Sequence, residues 1–430
     1  MADLPPGPGV EPVTVQARRG SRDRADYLRA ICELLWPPPA RAELAVGPRL
    51  AAPADVAMIV LPRLRDPRLV VPAGRRPAAA AVRRYGEPAS ARSALATRAL
   101  SAALASGVGA RLLRDRLTVR VPPGAPTIES RLSNMLGQGV VVGVHLGAAR
   151  ANRKPVLQLL TLAGETIGFA KIGINELTSA LVRGEHETLG RLHAAGLRHL
   201  QVPRVLGYDS WNGLEILVLG ALPVWQKRTP LSPGRLNLAM TEVAGVAGIT
   251  ESPLASSEYW STLTARLEAT GDGEEHEALA SALGELAGAA GAAVLGFGSW
   301  HGDWTRWNMA CTAGGLLVWD WERFASPAPV GFDALHYWLQ AEVTGNRRDP
   351  AQAAAACVRQ AAALLGPFGV PASQARLTAL LYVADLSVRY VADQQEQAGA
   401  RLGAPRTWLL PALAAGIGEL AGSPAARGDD

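Results

Sequence analysis

Three short apolar runs follow one another between residues 140 and 172, and their spacing constrains the fold more than any other feature. Each run is long enough for one strand: they cover 140–145, 156–162 and 166–172. Because parallel strands need a long crossover, such short connections favour an antiparallel meander. A helix is predicted next, from Asn175 as N-cap to about Ala195.

The rest of the chain adds two predicted strands and then a helical region. The strands cover 205–208 and 214–218, and after Pro223 the sequence is rich in Ala and Leu at helical spacing. Residues 300–324 interrupt this pattern and read as a loop with two short strands. Strands followed by helices predict an α+β arrangement of two lobes.

The first 126 residues differ in composition from the rest of the chain. Arginine exceeds acid there, the balance reverses afterwards, and a proline-rich segment at 122–126 predicts a boundary. We expect a separate mixed unit with a modest core of its own, with residues 1–20 disordered. Its predicted helices cover 21–35, 78–85 and 90–104, and its predicted strands cover 56–61, 68–71 and 117–121.

Composition excludes several classes of protein. The cysteines Cys32, Cys311 and Cys357 are far apart and form no C-x-x-C pair, which excludes a zinc knot and disfavours a disulfide framework. The N-terminus does not resemble a secretion signal, and the longest uncharged apolar stretch, 286–298, is too short for a bilayer. We therefore expect a cytoplasmic protein that does not span a membrane. The arginines of residues 1–126 are scattered, which favours a solvated basic surface over a nucleic-acid site.

One loop has the side chains of a phosphoryl-transfer site. It reads His301-Gly302-Asp303-Trp304-Thr305-Arg306-Trp307-Asn308, and Asp320 follows at the end of the apolar run 316–319. One carboxylate and one carboxamide are suitable oxygen ligands for Mg²⁺, and the second carboxylate can accept a proton from a hydroxyl nucleophile. The alternative is a solvated surface loop, which the full spacing disfavours.

A lysine and a glutamate form a second candidate pair. The chain has only three lysines, and Lys171 ends an apolar strand, where its charge requires a partner. Glu185 occupies one position in an apolar helical stripe, four residues after Leu181 and four before Leu189. We prefer Glu185 to Glu187, which points to another side of the helix. A purely structural ion pair remains the alternative.

Together these residues resemble the aminoglycoside phosphotransferase and choline kinase-like family, which has a protein-kinase-like fold. The resemblance covers about residues 130–400. It implies a bilobal fold with an antiparallel-sheet N-lobe at 127–222 and a helical C-lobe at 223–430. Residues 1–126 lie outside the resemblance, and we expect them to form an extra N-terminal α/β extension. It further implies ATP and Mg²⁺ as cofactors and a small-molecule hydroxyl as phosphoryl acceptor.

The resemblance also implies roles for individual residues. Asp303 would be the catalytic base, and His301 would organise the loop by bonding to backbone near Asp320. Asn308 and Asp320 would hold Mg²⁺. The nucleotide would be bound by four residues: Lys171 and Glu185 at the phosphates, and Gly220 and Leu222 in the hinge facing adenine.

Three points depart from the family or stay open. The expected phosphate loop, 147–153, has one glycine rather than three, which favours a catalytically weak binding or scaffold protein as the alternative. The activation-segment signature of protein kinases is absent, which argues against a protein substrate. Core packing is the preferred role of Trp304 and Trp307, with stacking on an acceptor as the alternative.

Overall fold

The computed structural model describes residues 13–46, 56–83, 91–400 and 402–421. These residues form two compact units, one built on a large sheet and one mostly helical, which confirms the predicted α+β organisation. The first unit contains the described residues up to Ala149 with Arg153–Ile174 and Leu206–Ala221. The second contains Arg150–Asn152, Asn175–Val205 and the described residues from Leu222 onward.

The helices are, in chain order, α1 (Val13–Leu35), α2 (Arg75–Arg83), α3 (Ala91–Ser106), α4 (Val108–Leu112), α5 (Ile128–Leu136), α6 (Glu176–Ala195), α7 (Pro233–Ala244), α8 (Glu258–Glu268), α9 (Glu274–Ala290), α10 (Phe332–Gln340), α11 (Pro350–Arg359), α12 (Ala361–Leu365), α13 (Ala372–Ala392) and α14 (Leu409–Ala421). The strands are β1 (Arg41–Val46), β2 (Val56–Leu61), β3 (Leu69–Pro72), β4 (Asp115–Arg120), β5 (Val141–His145), β6 (Val156–Leu160), β7 (Thr166–Gly173), β8 (Leu200–Gln201), β9 (Val205–Trp211), β10 (Leu214–Gly220), β11 (Thr250–Pro253), β12 (Val294–Trp300), β13 (Met309–Thr312), β14 (Gly315–Val318) and β15 (Ala325–Pro329).

A nine-stranded sheet forms the centre of the first unit, in the order β1-β4-β2-β3-β5-β6-β7-β10-β9. The predicted meander is confirmed, because β5, β6 and β7 are neighbours and pair antiparallel. Leu157 lies opposite Val144 on one side and Ala170 on the other. All three are buried and point to the same face of the sheet.

The structure differs from the predicted boundary near residue 126. Strand β3 pairs antiparallel with β5, with Val70 opposite Val144, so strands from both sides of that boundary share one sheet. Leu28 of α1 and Ile172 of β7 also belong to one hydrophobic cluster. Within the described residues one core cluster of the N-terminal segment is therefore shared with strands that follow residue 126, whereas the cluster on the other face consists mainly of N-terminal residues with Leu160 of β6. The boundary prediction rested on local composition, which carries no information about a long-range strand pairing.

Helices cover both faces of this sheet. Met58 of β2 packs in the cluster that includes Leu28 of α1 and Ile128 of α5. The next residue, Ile59, packs in the opposite cluster with Ala81 of α2 and Leu104 of α3. Alternation along β2 thus produces a core on each face, which explains why β2 and β3 read as nearly continuous apolar runs.

Several predicted bounds shift. Helix α1 begins at Val13 rather than residue 21, so the predicted disorder of 13–20 is wrong, and 1–12 lie outside the described residues. The ends of two other predicted helices, at 84–85 and 90, also lie outside them. The predicted strand 56–61 is confirmed without change, and 68–71 and 117–121 move by one or two residues.

The second unit has a helical core and two small sheets. Its core cluster includes Leu263 of α8, Leu283 of α9, Leu335 of α10 and Leu380 of α13. The small sheets have the orders β11-β12-β15 and β13-β14-β8. The two short strands predicted in 300–324 correspond to the hairpin of β13 and β14. Across the described part of the chain, no helix has both the length and the hydropathy to cross a bilayer.

Candidate active site

The loop from His301 to Asn308 connects β12 to β13 in the second unit. Its second residue, Gly302, has φ of 82°, in the left-handed region that favours glycine. A Cβ atom at this position would lie 2.1 Å from the carbonyl oxygen of Arg323. The glycine between His301 and Asp303 is therefore required both by the backbone conformation and by the close approach of another segment.

His301 organises this loop with both ring nitrogens. Its Nε2 lies 3.1 Å from the carbonyl oxygen of Trp319, and its Nδ1 lies 3.1 Å from the backbone N–H of Asp303. Complete burial lowers the pKa of His301 to about 4, so the ring is neutral near pH 7. A neutral ring that accepts at Nδ1 must donate from Nε2. The contact predicted for His301, with backbone beside Asp320, is therefore present.

Asp303 is held at both carboxylate oxygens. The Nδ2 atom of Asn308 donates to Oδ2 at 3.0 Å and to the Asp303 carbonyl oxygen at 2.9 Å. The Nε2 atom of His336 lies 3.1 Å from Oδ1. Although burial alone would raise the pKa of Asp303, the His336 hydrogen bond and the positive charge of Arg389 keep it below its ordinary value. The side chain is 34% exposed, so an ionised carboxylate in fixed orientation can be reached from outside.

Asp333 has a different role from the one its sequence position suggests. It reads as a helix N-cap, but Gly331 is the N-cap of α10 and Asp333 lies in the first turn. Its two carboxylate oxygens accept the backbone N–H groups of His301 at 2.8 Å and Gly302 at 3.3 Å. Burial raises the pKa of Asp333 to about 7. Asp333 therefore attaches the start of the loop 301–308 to α10.

Arg389 of α13 supports the same loop from another direction. Its Nη1 atom donates to the carbonyl oxygen of Gly302 at 2.7 Å. Its guanidinium carbon lies 5.6 Å from the ring centre of Trp300, within the range of a cation–π contact. Both backbone groups of Gly302 are thus engaged by buried or half-buried charged side chains, which fixes the position of the neighbouring Asp303.

Asp320 follows the end of β14 in a strained conformation. Its φ of 75° is unusual for a residue with a side chain, although aspartate tolerates this region better than most. The chain then enters a single tight turn, Trp321–Arg323. Glu185 of α6 accepts the backbone N–H of Trp321 at 3.1 Å and so holds that turn. Such outliers are concentrated at functional sites, where surrounding contacts maintain them.

Three carboxylates meet at this turn. Glu185, Asp320 and Glu322 each offer an oxygen, and these oxygens all lie within 4.8 Å of one another. Carboxylate oxygens are the donors that Mg²⁺ prefers, so this donor set fits the cation implied by the resemblance. Glu322 was not predicted to take part, and its Oε1 also accepts from the Nδ2 of Asn152 at 3.1 Å. Asn308 uses its amide nitrogen on Asp303, so its predicted role as a ligand would fall to its side-chain oxygen.

The predicted nucleotide residues lie in both units. Lys171 is buried on β7 of the first unit, opposite Val156 of β6 and Leu217 of β10. Glu185 is fully buried on α6 of the second unit. Gly220 is the last residue of β10, and Leu222 follows it closely. The pairing of Lys171 with Glu185 and the nucleotide contacts of all four residues stay predictions.

The two tryptophans of the loop differ in burial. Trp304 is fully buried, its indole N–H points to the sulfur of Met309 at 3.4 Å, and its ring packs near His301 and Trp321. Stacking of an acceptor on Trp304 is therefore wrong, and core packing explains the residue. Trp307 is 47% exposed, so its role at an acceptor site stays a prediction.

Sequence reasoning missed the residues that support Asp303 from helices. These are Asp333 and His336 of α10 and Tyr382 and Arg389 of α13. A usable signal was present, because Asp333 and His336 are three residues apart in an otherwise apolar segment and so share one face of a helix. Polar residues on a buried helical face need partners, and these partners belong to the loop 301–308.

Comparison with known proteins gives structural similarity only. No protein-family model matches the chain, and no curated protein matches its sequence. A choline kinase from Streptococcus pneumoniae is similar over 69% of this chain and 98% of its own, with 14% identity and a TM-score of 0.40. A choline/ethanolamine kinase family protein from Mesorhizobium loti covers 63% and 86%, with 16% identity and a TM-score of 0.40.

A spectinomycin phosphotransferase, solved with ADP and spectinomycin, is also similar. It covers 70% of this chain and 98% of its own, with 10% identity and a TM-score of 0.39. All three structures carry the names of kinases, kinase-family proteins or phosphotransferases. At these identities and TM-scores, what this chain does has to be inferred from its own side chains.

Proposed function

We propose that this protein is an ATP-dependent phosphotransferase that moves the γ-phosphate of ATP to a hydroxyl group of a small molecule. One observation carries the proposal: the reachable Asp303 carboxylate is fixed at Oδ1 by His336 and at Oδ2 by Asn308. A carboxylate held in this way can orient a hydroxyl in line with a phosphoryl group, and positioning is the main work of such catalysts.

The proposed reaction forms one bond, breaks one bond and transfers one proton. A bond forms between the acceptor oxygen and the γ-phosphorus, and the bond from that phosphorus to the β,γ-bridging oxygen breaks. The hydroxyl proton passes to Asp303, and ADP leaves with the bridging oxygen. Because its pKa is held low, Asp303 is a weak base and takes the proton late, which suits a loose transition state.

The three clustered carboxylates support a divalent cation beside this site. Asp320 with Glu185 or Glu322 would hold it, and the side-chain oxygen of Asn308 would add a ligand from the catalytic loop. When bound, Mg²⁺ neutralises charge on the β- and γ-phosphates. The role of the protein is to hold Asp320 in its left-handed conformation by fixing the turn that follows it.

The nucleotide contacts follow from the family resemblance. Lys171 would hold the α- and β-phosphates, and Glu185 would position it. Glu185 also lies among the carboxylates near Asp320, so within the second unit it is placed to act on the cation. Gly220 and Leu222 would offer backbone groups to adenine.

The acceptor is proposed to be a small hydroxylated molecule rather than a protein. After the turn at Trp321–Arg323 the chain runs directly through β15 into α10, with no segment long enough for a protein-kinase activation loop. Sugars, amino alcohols and aminoglycoside-like molecules are the classes to test. The exposed Trp307 is a candidate surface for a sugar or a quaternary amine.

A screen of these three classes for acceptor-dependent ADP release tests the proposal. The purified protein is incubated with Mg²⁺ and ATP or GTP, and Asp303→Asn serves as the control. Release that depends on an acceptor and is absent in the control supports the function. No release above the control with any acceptor class would overturn it.

A binding or scaffold protein is the second candidate, because the segment 147–153 has a single glycine where the family has a glycine-rich phosphate loop. A thermal-shift measurement with Mg²⁺ and ATP separates the two. A catalyst should be stabilised by the nucleotide, whereas a scaffold that has lost the site should not be.

A further inference from the structure

His336 connects the candidate catalytic residue to the interior of the second unit. It lies on α10, and one of its nitrogens, Nε2, is 3.1 Å from Oδ1 of Asp303. The other nitrogen, Nδ1, is 3.0 Å from the hydroxyl of Tyr382 on α13. His336 and Tyr382 are both buried, so neither can exchange these contacts for water.

The directions of these two hydrogen bonds follow from the chemistry of the groups. An ionised carboxylate only accepts, so Nε2 must donate to Asp303. Burial lowers the pKa of His336, and a neutral imidazole has only one N–H, so Nδ1 must accept. Tyr382 therefore donates its hydroxyl proton to Nδ1. Burial keeps this phenol protonated, because it raises the pKa of Tyr382 well above its ordinary value.

We propose that His336, fixed in its Nε2–H tautomer by Tyr382, is a positioning residue that sets the orientation of the Asp303 carboxylate for the acceptor hydroxyl. The inference rests on the proposed function. With Nε2–H on Oδ1 and Asn308 on Oδ2, the plane of the carboxylate is fixed and one lone pair on each oxygen remains for the substrate. His336 donates throughout the reaction and does not receive the substrate proton.

The surroundings of this chain of hydrogen bonds argue against a role in packing alone. The rings of Trp300 and Phe332 lie 6.4 Å from His336 and 5.7 Å from Tyr382, respectively, in the hydrophobic core. Apolar residues would fill such a place without the desolvation cost of an imidazole and a phenol. The two polar groups are satisfied by each other and by Asp303, so their placement serves the carboxylate.

Kinetics of matched variants at His336 test the proposal. His336→Leu introduces an apolar side chain of similar volume and removes the donor, and we expect kcat to fall about 10²-fold with the KM for ATP unchanged. His336→Gln restores an N–H near the position of Nε2 and should recover about 10-fold of that loss. Equal rates for His336→Leu and the parent, or equal losses in both variants, would overturn the proposal.

A change on the same helix controls for stability. Leu339 of α10 is fully buried and belongs to the hydrophobic core cluster. Leu339→Val should lower the melting temperature by a few degrees and leave kcat unchanged at temperatures well below the transition. If Leu339→Val lowers kcat as much as His336→Leu, a general loss of packing explains the effect and the proposal is wrong.

The tautomer can be observed without any turnover. In protein labelled with ¹⁵N-histidine, the His336 ring, assigned by its loss in His336→Gln, should show a protonated Nε2 and an unprotonated Nδ1. Tyr382→Phe should reduce this preference and lower kcat about 10-fold. A protonated Nδ1 in the parent would overturn the inference even if transfer is seen. If the tautomer is as expected but no acceptor is phosphorylated, the proposed function fails and the positioning of Asp303 stands.

Discussion

Asp333 accepts the backbone N–H of His301 at 2.8 Å and so links the first turn of α10 to the first residue of the candidate catalytic loop, 301–308. A second bond, from the N–H of Gly302 at 3.3 Å, uses the other carboxylate oxygen. The two segments are far apart in the sequence, so this contact makes the loop part of the helical core. The position of Asp303 is thereby coupled to the stability of the second unit.

Replacement of Asp333 by alanine should cost both stability and activity. The change leaves two buried N–H groups without an acceptor, which we expect to lower the free energy of unfolding by about 2–4 kcal/mol. Asp333→Asn keeps one acceptor oxygen, so its free energy of unfolding should lie between those of the parent and of Asp333→Ala. Urea denaturation and ADP release measure the two effects. An alanine variant with parental stability would show that these hydrogen bonds contribute nothing.

Gly302→Ala should prevent the loop from adopting its native conformation. The new Cβ would meet the carbonyl oxygen of Arg323 at 2.1 Å, in a residue whose φ is already 82°. We expect the free energy of unfolding to fall by more than about 3 kcal/mol, or the variant to fail to fold. The matched control is Gly190→Ala on α6, where a Cβ meets nothing within 4 Å and should stabilise the helix by up to about 1 kcal/mol. Similar melting temperatures for the two variants would contradict the account.

The stability of the protein should depend on the protonation of His301. The folded protein holds its pKa at about 4, below the value of 6.5 of an unperturbed histidine. Because the pKa of His301 is lower in the folded protein, its neutral ring contributes fully to the free energy of unfolding above about pH 6.5. This contribution of about 3 kcal/mol is lost as the pH falls toward 4. His301→Gln removes this component. Urea denaturation at pH 7 and pH 4.5 should show a smaller loss for the variant than for the parent, and equal losses would exclude the assignment.

Local features of both units could be predicted from neighbouring residues in the sequence. The strand at 56–61 has the observed bounds, and Asn175 is the N-cap of α6, with its side chain accepting from the N–H of Thr178. Both features depend on neighbours in the chain. The pairing of β3 with β5 could not be predicted in this way, because a strand edge accepts many partners and the choice depends on the whole sheet.

The candidate site also combines contacts between near neighbours in the sequence with contacts that only tertiary folding creates. Asp303 and Asn308 belong to one short loop, and the hydrogen bond between their side chains depends on neighbours in the chain. Asp333 lies near the start of α10, where aspartate most often acts as an N-cap, so its local sequence does not indicate its actual role. Its actual partners, His301 and Gly302, are brought to it only by tertiary folding.

Loss of a proposed cation ligand should weaken the binding of ATP with Mg²⁺ but not the binding of ATP without it. Asp320→Ala should weaken binding of ATP in the presence of Mg²⁺ by at least about 10-fold, because one of three clustered carboxylates is lost. Binding without Mg²⁺ should be little changed. Calorimetric titrations with Mg²⁺ or with EDTA check this, and Glu277→Ala, an exposed carboxylate on α9, is the control. An unchanged Mg²⁺ effect in Asp320→Ala would remove Asp320 from the cation site.

The most direct test of the central claim is the rate of γ-phosphate transfer by Asp303→Asn, measured beside its affinity for ATP. The amide has the size of the carboxylate and cannot accept the hydroxyl proton. The account predicts a loss of at least about 10³-fold in kcat with the Kd for ATP within about 3-fold of the parent. Transfer at the parental rate would contradict it.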